Sequence, residues 1–110
     1  MGDLVERLLD DDAARFGAAM GAIETFADYC LKRYAQTDRL EYISGGLGGY
    51  SALIYVFQRA LRKEKLGRVN AFWNAFTTVS NVAVGMSLGE SYEPKQLIGF
   101  ALISIGVFLI

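Results

Sequence analysis

The sequence predicts an all-α integral membrane protein with four transmembrane helices. Of its 110 residues, 53% are hydrophobic, which is a high share for a soluble domain. The charged residues fall in clusters that leave long uncharged intervals between them. Each interval approaches the roughly 20 helical residues that cross about 30 Å of hydrocarbon. We therefore expect one transmembrane domain over residues 13–110, with approximate spans at 13–31, 42–58, 69–89 and 94–110.

Residues 1–12 predict an amphipathic acidic lead-in helix, because leucine and valine recur there at near-helical spacing among acidic residues. The first span, residues 13–31, is the least hydrophobic of the four. Arg15 lies near its start, where a long side chain can reach the lipid–water interface by snorkelling. Cys30 is the single cysteine of the chain and cannot form an internal disulfide, so we interpret it as a small packing residue.

Glycines crowd the first half of the second span. Gly45, Gly46, Gly48 and Gly49 precede Tyr50 in an uncharged, apolar setting. A phosphate-binding loop needs a Lys-Ser/Thr pair after its glycines, and none follows here. These glycines predict a surface for close helix packing.

The third span distinguishes a membrane protein from its main alternative, a soluble four-helix bundle. A soluble helix repeats polar residues on one face every three to four positions. Residues 69–89 lack such a face, and their polar residues are small and uncharged, which is typical of helix contacts within a bilayer. The fourth span begins at Pro94, where proline suits a first helical turn.

The distribution of lysine and arginine predicts the orientation. Four spans place both termini and the loop at residues 59–68 on the same side, which holds seven of the eleven basic residues. Basic residues favour the cytoplasmic side, so we expect an integral protein of the cell (inner) membrane with both termini in the cytoplasm. A net charge of -1 indicates no nucleic-acid partner. Since the chain contains no histidine, we expect no enzyme active site, no metal and no cofactor.

Two acids in the first span are the principal candidates for function. Glu24, Asp28 and Lys32 share one helix face at four-residue spacing. We expect Lys32 to pair with Asp28, which leaves Glu24 without a local partner. Desolvation and a second nearby acid both favour the neutral form of a carboxyl group. Such an acid binds either a proton or an organic cation but not both, and proton-coupled antiport requires this exclusivity.

Aromatic and amide side chains complete the candidate binding site. Tyr50 and Trp73 are candidates for its wall, because aromatic faces attract poorly hydrated cations. Asn70 and Asn74 are candidates for added hydrogen bonds. Glu24 and Trp73 also have alternative, purely structural interpretations. Glu24 can be the buried end of a salt bridge or a water-exposed residue, and Trp73 can be an interfacial anchor. For Asp28, the structural role is the favoured one.

Several of these residues carry a family resemblance. Glu24 with Lys32 eight residues on, Tyr50 and Trp73 lie in the register of the small multidrug resistance (SMR) family, which the chain resembles over about residues 13–110. These proteins are the four-helix members of the drug/metabolite transporter superfamily (EamA-like). The resemblance implies a transporter that exchanges protons for a small organic cation at Glu24.

The resemblance also implies a dimer, formed with an identical or a homologous subunit. In the C-terminal stretch GFALISIGVFLI, the family's dimerisation stripe is supplied by Gly99, Leu102, Ile103, Gly106 and Val107. Two protomers would then present two copies of Glu24 to a shared cavity. A four-helix monomer can scarcely enclose a pathway, so size alone also predicts a dimer.

Three departures from the family pattern support a second hypothesis. Asn70 stands where the family usually has tyrosine, the glycine kink that follows Trp73 is missing, and Asp28 is an additional acid. The second hypothesis is a non-transporting multi-pass membrane protein that keeps the same fold for a structural or assembly role.

Overall fold

The computed structural model describes residues 2–109. Met1, the first residue of the predicted lead-in, and Ile110, the last residue of the predicted fourth span, lie outside the described residues. Within residues 2–109 the secondary structure is entirely helical, which confirms the predicted all-α class. The elements are α1 (Gly2–Asp10), α2 (Asp12–Thr37), α3 (Glu41–Lys63), α4 (Leu66–Ser87), α5 (Pro94–Gly106) and a 3-10 turn (Val107–Leu109).

The helices α2 to α5 overlap the four predicted spans, and α1 lies within the predicted lead-in. None of the helices in residues 2–109 is both long enough and apolar enough to cross a membrane. The assignment of four transmembrane spans therefore stays a prediction from the sequence.

Local sequence signals explain where the helices begin and end. Asp11 caps α2, because its Oδ1 accepts a hydrogen bond from the Ala14 N–H at 3.2 Å. Asp38 ends α2 in the left-handed region, at φ 58°, and its N–H donates to the Tyr34 carbonyl. At the start of α5, Pro94 occupies the first turn.

The helix α2 is the central element and packs against α3 on one side and α4 on the other. Glycines allow α2 to pack closely against both of these helices. A Cβ atom added at Gly17 would lie 2.6 Å from Phe72 Cβ and 2.8 Å from the Trp73 backbone nitrogen on α4. One added at Gly49 of α3 would lie 2.8 Å from Ala27 Cβ on α2. The three helices are therefore closer than larger side chains at these positions permit.

The predicted glycine packing surface on α3 is confirmed at three of its four positions. Like Gly49, Gly45 and Gly46 face α2, where an added Cβ would meet Cys30 Sγ at 2.6 Å and Leu31 Cδ2 at 2.8 Å. Gly48 has open space beside it instead. Cys30 is buried at this contact, in agreement with its interpretation as a packing residue.

The apolar core lies where the N-terminal half of α2 meets the C-terminal half of α3 and the start of α4. Met20 and Val69 are fully enclosed there. Many other large apolar side chains point outwards, and an outer surface of this kind indicates contact with lipid or with a partner protein. On α3, α4 and α5 they include Leu47, Ile54, Phe76, Val79, Met86, Ile98, Leu102 and Ile105.

The helix α5 is the least integrated of the long helices. It packs mainly against α4, and no residue within Pro94–Gly106 is buried. The 3-10 turn that follows returns to the core, because Val107 packs against the core cluster. An apolar groove of about 430 Å³ lies between α1, α2, α4 and the C-terminal end of α5, lined among others by Phe72, Phe76 and Val107.

Candidate functional site

Asp28 joins three helices through hydrogen bonds. Its Oδ1 accepts a hydrogen bond from the Tyr50 hydroxyl of α3, and its Oδ2 accepts one from Asn81 Nδ2 of α4 at 2.8 Å. Both donors are neutral, so they orient the carboxylate without cancelling its charge. Asp28 is only part-buried, as expected for an acid that is also open to solvent.

The prediction that Lys32 pairs with Asp28 is wrong. Lys32 Nζ lies 2.8 Å from Glu90 Oε2, in the segment that joins α4 to α5. The Lys32 side chain is 44% exposed, and a compact ammonium is strongly hydrated, so a partner at the surface costs less desolvation than one in the helix interior. Sequence spacing alone identified a reachable partner but not the one that the fold presents.

The Glu90 carboxylate is held by a second side chain. The Tyr92 hydroxyl donates a hydrogen bond to Glu90 Oε1 at 2.7 Å. The Lys32 ammonium and this hydroxyl together lower the pKa of Glu90, and the same carboxylate raises the pKa of Tyr92. Gly85 makes the arrangement possible, because an added Cβ there would collide with both Glu90 and Tyr92.

Glu24 lies one helical turn before Asp28, beside two side chains of α4. Its half-buried carboxyl group neighbours Trp73 and Thr77. Within residues 2–109 it forms no hydrogen bond of ordinary geometry with either side chain. Trp73 Nε1 and Thr77 Oγ1 are buried, and within residues 2–109 neither has a hydrogen-bond partner. Thr77 is only 8% exposed. Buried polar atoms normally have a hydrogen-bond partner. These two atoms can therefore form a hydrogen bond with a ligand or with the Glu24 carboxylate.

The Trp73 ring also contacts α3. It packs against Phe57 with ring centroids 5.1 Å apart and the planes tilted by 58°. This contact fixes the indole between α3 and α4, near Glu24. An aromatic face at this position is suited to a cation that binds the acid.

The structure brings four of the predicted site residues into one interior between α2, α3 and α4: Glu24, Asp28, Tyr50 and Trp73. Asn74 is exposed, and within the described part of the chain neither Asn70 nor Asn74 makes a side-chain hydrogen bond to another residue.

Sequence reasoning missed Thr77 and Asn81 as neighbours of the two acids. A signal was present, since Trp73, Thr77 and Asn81 recur at four-residue spacing and share one face of α4. Glu90 was missed as the partner of Lys32. No local pattern marks it, because it lies far from Lys32 in the chain.

A groove of about 390 Å³ opens onto Asp28 and Asn81. Its rim carries the Lys32–Glu90 ion pair, with Tyr92 beside it. Aromatic side chains, among them Phe100 of α5, contribute to its lining. The Asp28 carboxylate is therefore reachable from outside the three-helix interior.

The predicted dimerisation stripe is largely uncovered in the protomer. Leu102 and Ile103 are 63% and 46% exposed, and a Cβ added at Gly99 or Gly106 would meet open space. Val107 departs from this pattern because it packs against the core cluster. Four of the five stripe residues thus present a free surface of small and branched side chains.

A small all-helical chain with outward apolar side chains and two part-buried acids between its helices defines a class: all-α proteins whose outer surface is apolar and whose helix packing holds polar groups. The family comparison makes the assignment specific. The model of the Small Multidrug Resistance protein family matches residues 16–103, so the chain belongs to this family, as the resemblance predicted. It is accordingly an integral inner-membrane protein of the all-α class. Comparisons with curated proteins and with solved structures gave no significant match.

Membership of the family carries a general activity. SMR proteins are transporters rather than enzymes, they generally exchange protons for cations, and they typically form dimers.

Proposed function

We propose that this protein is a dimeric, proton-coupled antiporter of a small organic cation and that Glu24 binds the proton and the cation in turn. The observation that carries the proposal is the surroundings of Glu24. Within residues 2–109, none of the salt bridges involves this half-buried acid. It lies beside the Trp73 indole and the buried Thr77 hydroxyl, which has no hydrogen-bond partner in the described part of the chain. A carboxyl group without a fixed counter-charge is free to exchange one positive species for another.

The neighbours of Glu24 suit both halves of such a cycle. When a cation is bound, the Trp73 face contributes roughly 0.5 to 2 kcal/mol of attraction. When no cation is bound, the Trp73 N–H and the Thr77 hydroxyl are donors that can stabilise the ionised carboxylate after a small movement. A proton removes the charge and with it the attraction for the cation.

The proposal includes the membrane arrangement predicted from the sequence. Residues 13–31, 42–58, 69–89 and 94–110 form four spans, and both termini lie in the cytoplasm. The uncovered stripe of α5 joins two protomers, identical or homologous, so that their acids face a shared cavity. The protein carries out no enzymatic reaction.

A second candidate function is supported by a different observation. The hydrogen bonds from Tyr50 and Asn81 to Asp28, and the tight glycine contacts, hold α2, α3 and α4 together. The glycine kink after Trp73 is also missing. A rigid unit of this kind suits a non-transporting protein that uses the fold for assembly.

The experiment that separates these functions is transport in liposomes. Purified protein is reconstituted, a pH gradient is imposed, and uptake of tetraphenylphosphonium and guanidinium is followed. Antiport predicts uptake that depends on the gradient and is abolished in Glu24→Gln. The matched control is Glu41→Gln, an exposed acid at the start of α3, which should transport normally.

Binding is measured in parallel through the fluorescence of Trp73, the single tryptophan of the chain. We expect cation binding that weakens as pH falls and that loses this dependence in Glu24→Gln. If no cation is taken up and no cation changes the fluorescence, the proposal is contradicted and the assembly role is favoured.

A further inference from the structure

We propose that the apolar groove between α1, α2, α4 and the C-terminal end of α5 binds one phospholipid of the phosphatidylethanolamine type. One acyl chain lies in the groove, and the headgroup contacts Arg15 and Asp12. The inference goes beyond the proposed antiport, because neither Glu24 nor Asp28 is among the described residues that line this groove.

The groove has the length and the lining that an acyl chain requires. Along α4 it runs from Phe72 to Ser80, a length of about 12 Å at a helical rise of about 1.5 Å per residue. This is most of one leaflet of a hydrocarbon core that is about 30 Å thick. Its lining is mainly alanine, phenylalanine and valine, and the Ser104 hydroxyl donates to the Phe100 carbonyl at 3.1 Å. The lining thus offers a lipid chain apolar contact along most of its length.

The groove lies away from the stripe of α5 that is proposed to join two protomers. Ser104 lines the groove, and helical periodicity places it on nearly the opposite side of α5 from Gly99, Leu102 and Gly106. A second protomer that covers the stripe therefore leaves the groove open. In a membrane protein, an apolar groove that no partner covers is exposed to lipid chains.

A basic side chain lies at one end of the groove. Gly17 of α2 packs against Phe72 and Gly21 against Phe76, so α2 and α4 run in the same direction and Arg15 lies at the Phe72 end. Arg15 is exposed, and within residues 2–109 it takes part in no salt bridge. A guanidinium group binds a phosphate through two parallel hydrogen bonds. Arg15 is also near the start of the first predicted span, the depth at which lipid phosphates lie.

Three consecutive acids precede Arg15 at the junction of α1 and α2, and two of them have basic neighbours. Arg68 Nη2 lies 2.7 Å from Asp11 Oδ2. Asp10 lines a separate, acidic hollow that also contains Arg7. The third acid is the one that bears on the headgroup.

Asp12 selects a headgroup that carries a positive as well as a negative charge. It is exposed, lies three residues before Arg15 on the same helix face, and forms no salt bridge within the described residues. A headgroup with only a negative charge is attracted by Arg15 and repelled by Asp12. Phosphatidylethanolamine has an ammonium group beside its phosphate, so it compensates both side chains. The choline of phosphatidylcholine has no N–H and cannot donate a hydrogen bond to Asp12.

The test is lipid binding to the purified protein in detergent, followed by native mass spectrometry. Phosphatidylethanolamine, phosphatidylglycerol and phosphatidylcholine with identical acyl chains are added in turn. We expect one tightly bound lipid per protomer and an affinity for phosphatidylethanolamine about fivefold higher than for the other two lipids. Equal binding of the three lipids would overturn the proposal without any variant.

Charge variants test the headgroup contacts. Arg15→Gln should lower the affinity for phosphatidylethanolamine about fivefold. The matched control is Arg62→Gln, an exposed arginine near the end of α3, which should bind the lipid as wild type does. Asp12→Asn should remove the preference for phosphatidylethanolamine over phosphatidylcholine. Wild-type binding in Arg15→Gln would overturn the proposal.

A groove-filling variant tests the acyl-chain contact. Ala18 lines the groove, so Ala18→Leu adds apolar volume there without changing any charge. We expect this variant to lose the bound lipid and to form dimers as wild type does. If it retains the lipid but dimerises less, the groove is covered by a second protomer and the proposal is wrong.

The experiments also separate this inference from the proposed function. Glu24→Gln, which should not transport, should bind phosphatidylethanolamine as wild type does. Gradient-driven cation uptake without any lipid preference would contradict the lipid site alone. Lipid preference without uptake of any cation would contradict antiport alone.

Discussion

The interior between α2, α3 and α4 differs sharply from α5. In the interior, glycines bring helices into close contact, and hydrogen bonds from two helices converge on Asp28. In α5, no residue is buried, and the space beside Gly99 is open. Small residues thus serve opposite purposes in the two regions. In the interior they complete the protomer, and on α5 they leave a surface that a second protomer can cover.

The interior and α5 also differ in their polar groups. The acids of α2 lie among side chains from other helices, whereas α5 carries only small or apolar side chains after Gln96. Helix association in a bilayer relies on close packing and hydrogen bonds, because lipid tails are as apolar as leucine. The interior uses both, and the surface of α5 offers only close packing.

The largest expected effect comes from adding a methyl group to the tight interior. We expect Gly17→Ala to lower the free energy of unfolding by about 2 to 3 kcal/mol, because its Cβ would meet α4 backbone that cannot move independently. Unfolding of the purified protein in mixed detergent micelles measures this. Gly48→Ala is the control, since open space adjoins Gly48 and alanine favours helix by about 1 kcal/mol. Equal loss in both variants would show that the close approach of α2 and α4 is not what stabilises the protomer.

The next prediction concerns the hydrogen bonds to Asp28. Tyr50→Phe removes one donor to a charged acceptor, so we expect a loss of about 1.5 kcal/mol in unfolding free energy. Tyr55→Phe on the same helix is the control, because Tyr55 is exposed and its hydroxyl accepts a hydrogen bond from the nearby Arg59 rather than joining two helices. Should the two variants have the same stability, Asp28 would not be the junction of three helices.

A methyl group added to α5 should have a different effect from one added to the interior. Gly99→Ala should not lower protomer stability, and it should weaken dimerisation about fivefold, equivalent to about 1 kcal/mol. Dimer dissociation in detergent, followed by energy transfer between labelled protomers, measures this effect. Gly67→Ala, which adds a methyl group at an open position of α4, is the control. Unchanged dimerisation in Gly99→Ala would place the protomer contact elsewhere.

The smallest effect is expected at the start of α2. Arg68 Nη2 lies 2.7 Å from Asp11 Oδ2, and this hydrogen-bonded pair lowers the pKa of Asp11. A lowered carboxyl pKa gives stability that is present above the unfolded value of about 3.9 and is lost as pH falls through the folded value. Asp11→Asn keeps the helix cap but removes the ion pair, so we expect a loss of about 0.5 kcal/mol at neutral pH.

The pH dependence is the informative part of this experiment. The stability difference between wild type and Asp11→Asn should shrink as pH falls below about 4. Asp12→Asn, a substitution of the exposed neighbouring acid outside the ion pair, is the control variant. A difference that persists at low pH would indicate that the cap rather than the ion pair is affected.

Particular residues show how far the sequence predicts the site. The four-residue spacing of Glu24, Asp28 and Lys32 placed them on one face, but could not choose between Asp28 and Glu90 as the partner of Lys32. Tyr50 and Trp73 were predicted at the site from their aromatic chemistry. Asn70 and Asn74 were predicted as hydrogen-bonding residues, and the α4 side chains that neighbour the acids include Thr77 and Asn81.

The sequence by itself determined the helical class, the family, the packing role of the glycines before Tyr50 and the position of two acids on one helix face. Each follows from local composition or from helical periodicity, which nearby residues fix. Only the tertiary structure decided that Asp28 binds Tyr50 and Asn81, that Lys32 binds Glu90 and that α5 stays uncovered. These outcomes depend on how helices distant in sequence approach one another, because several partners lie within reach of each polar side chain and packing selects among them.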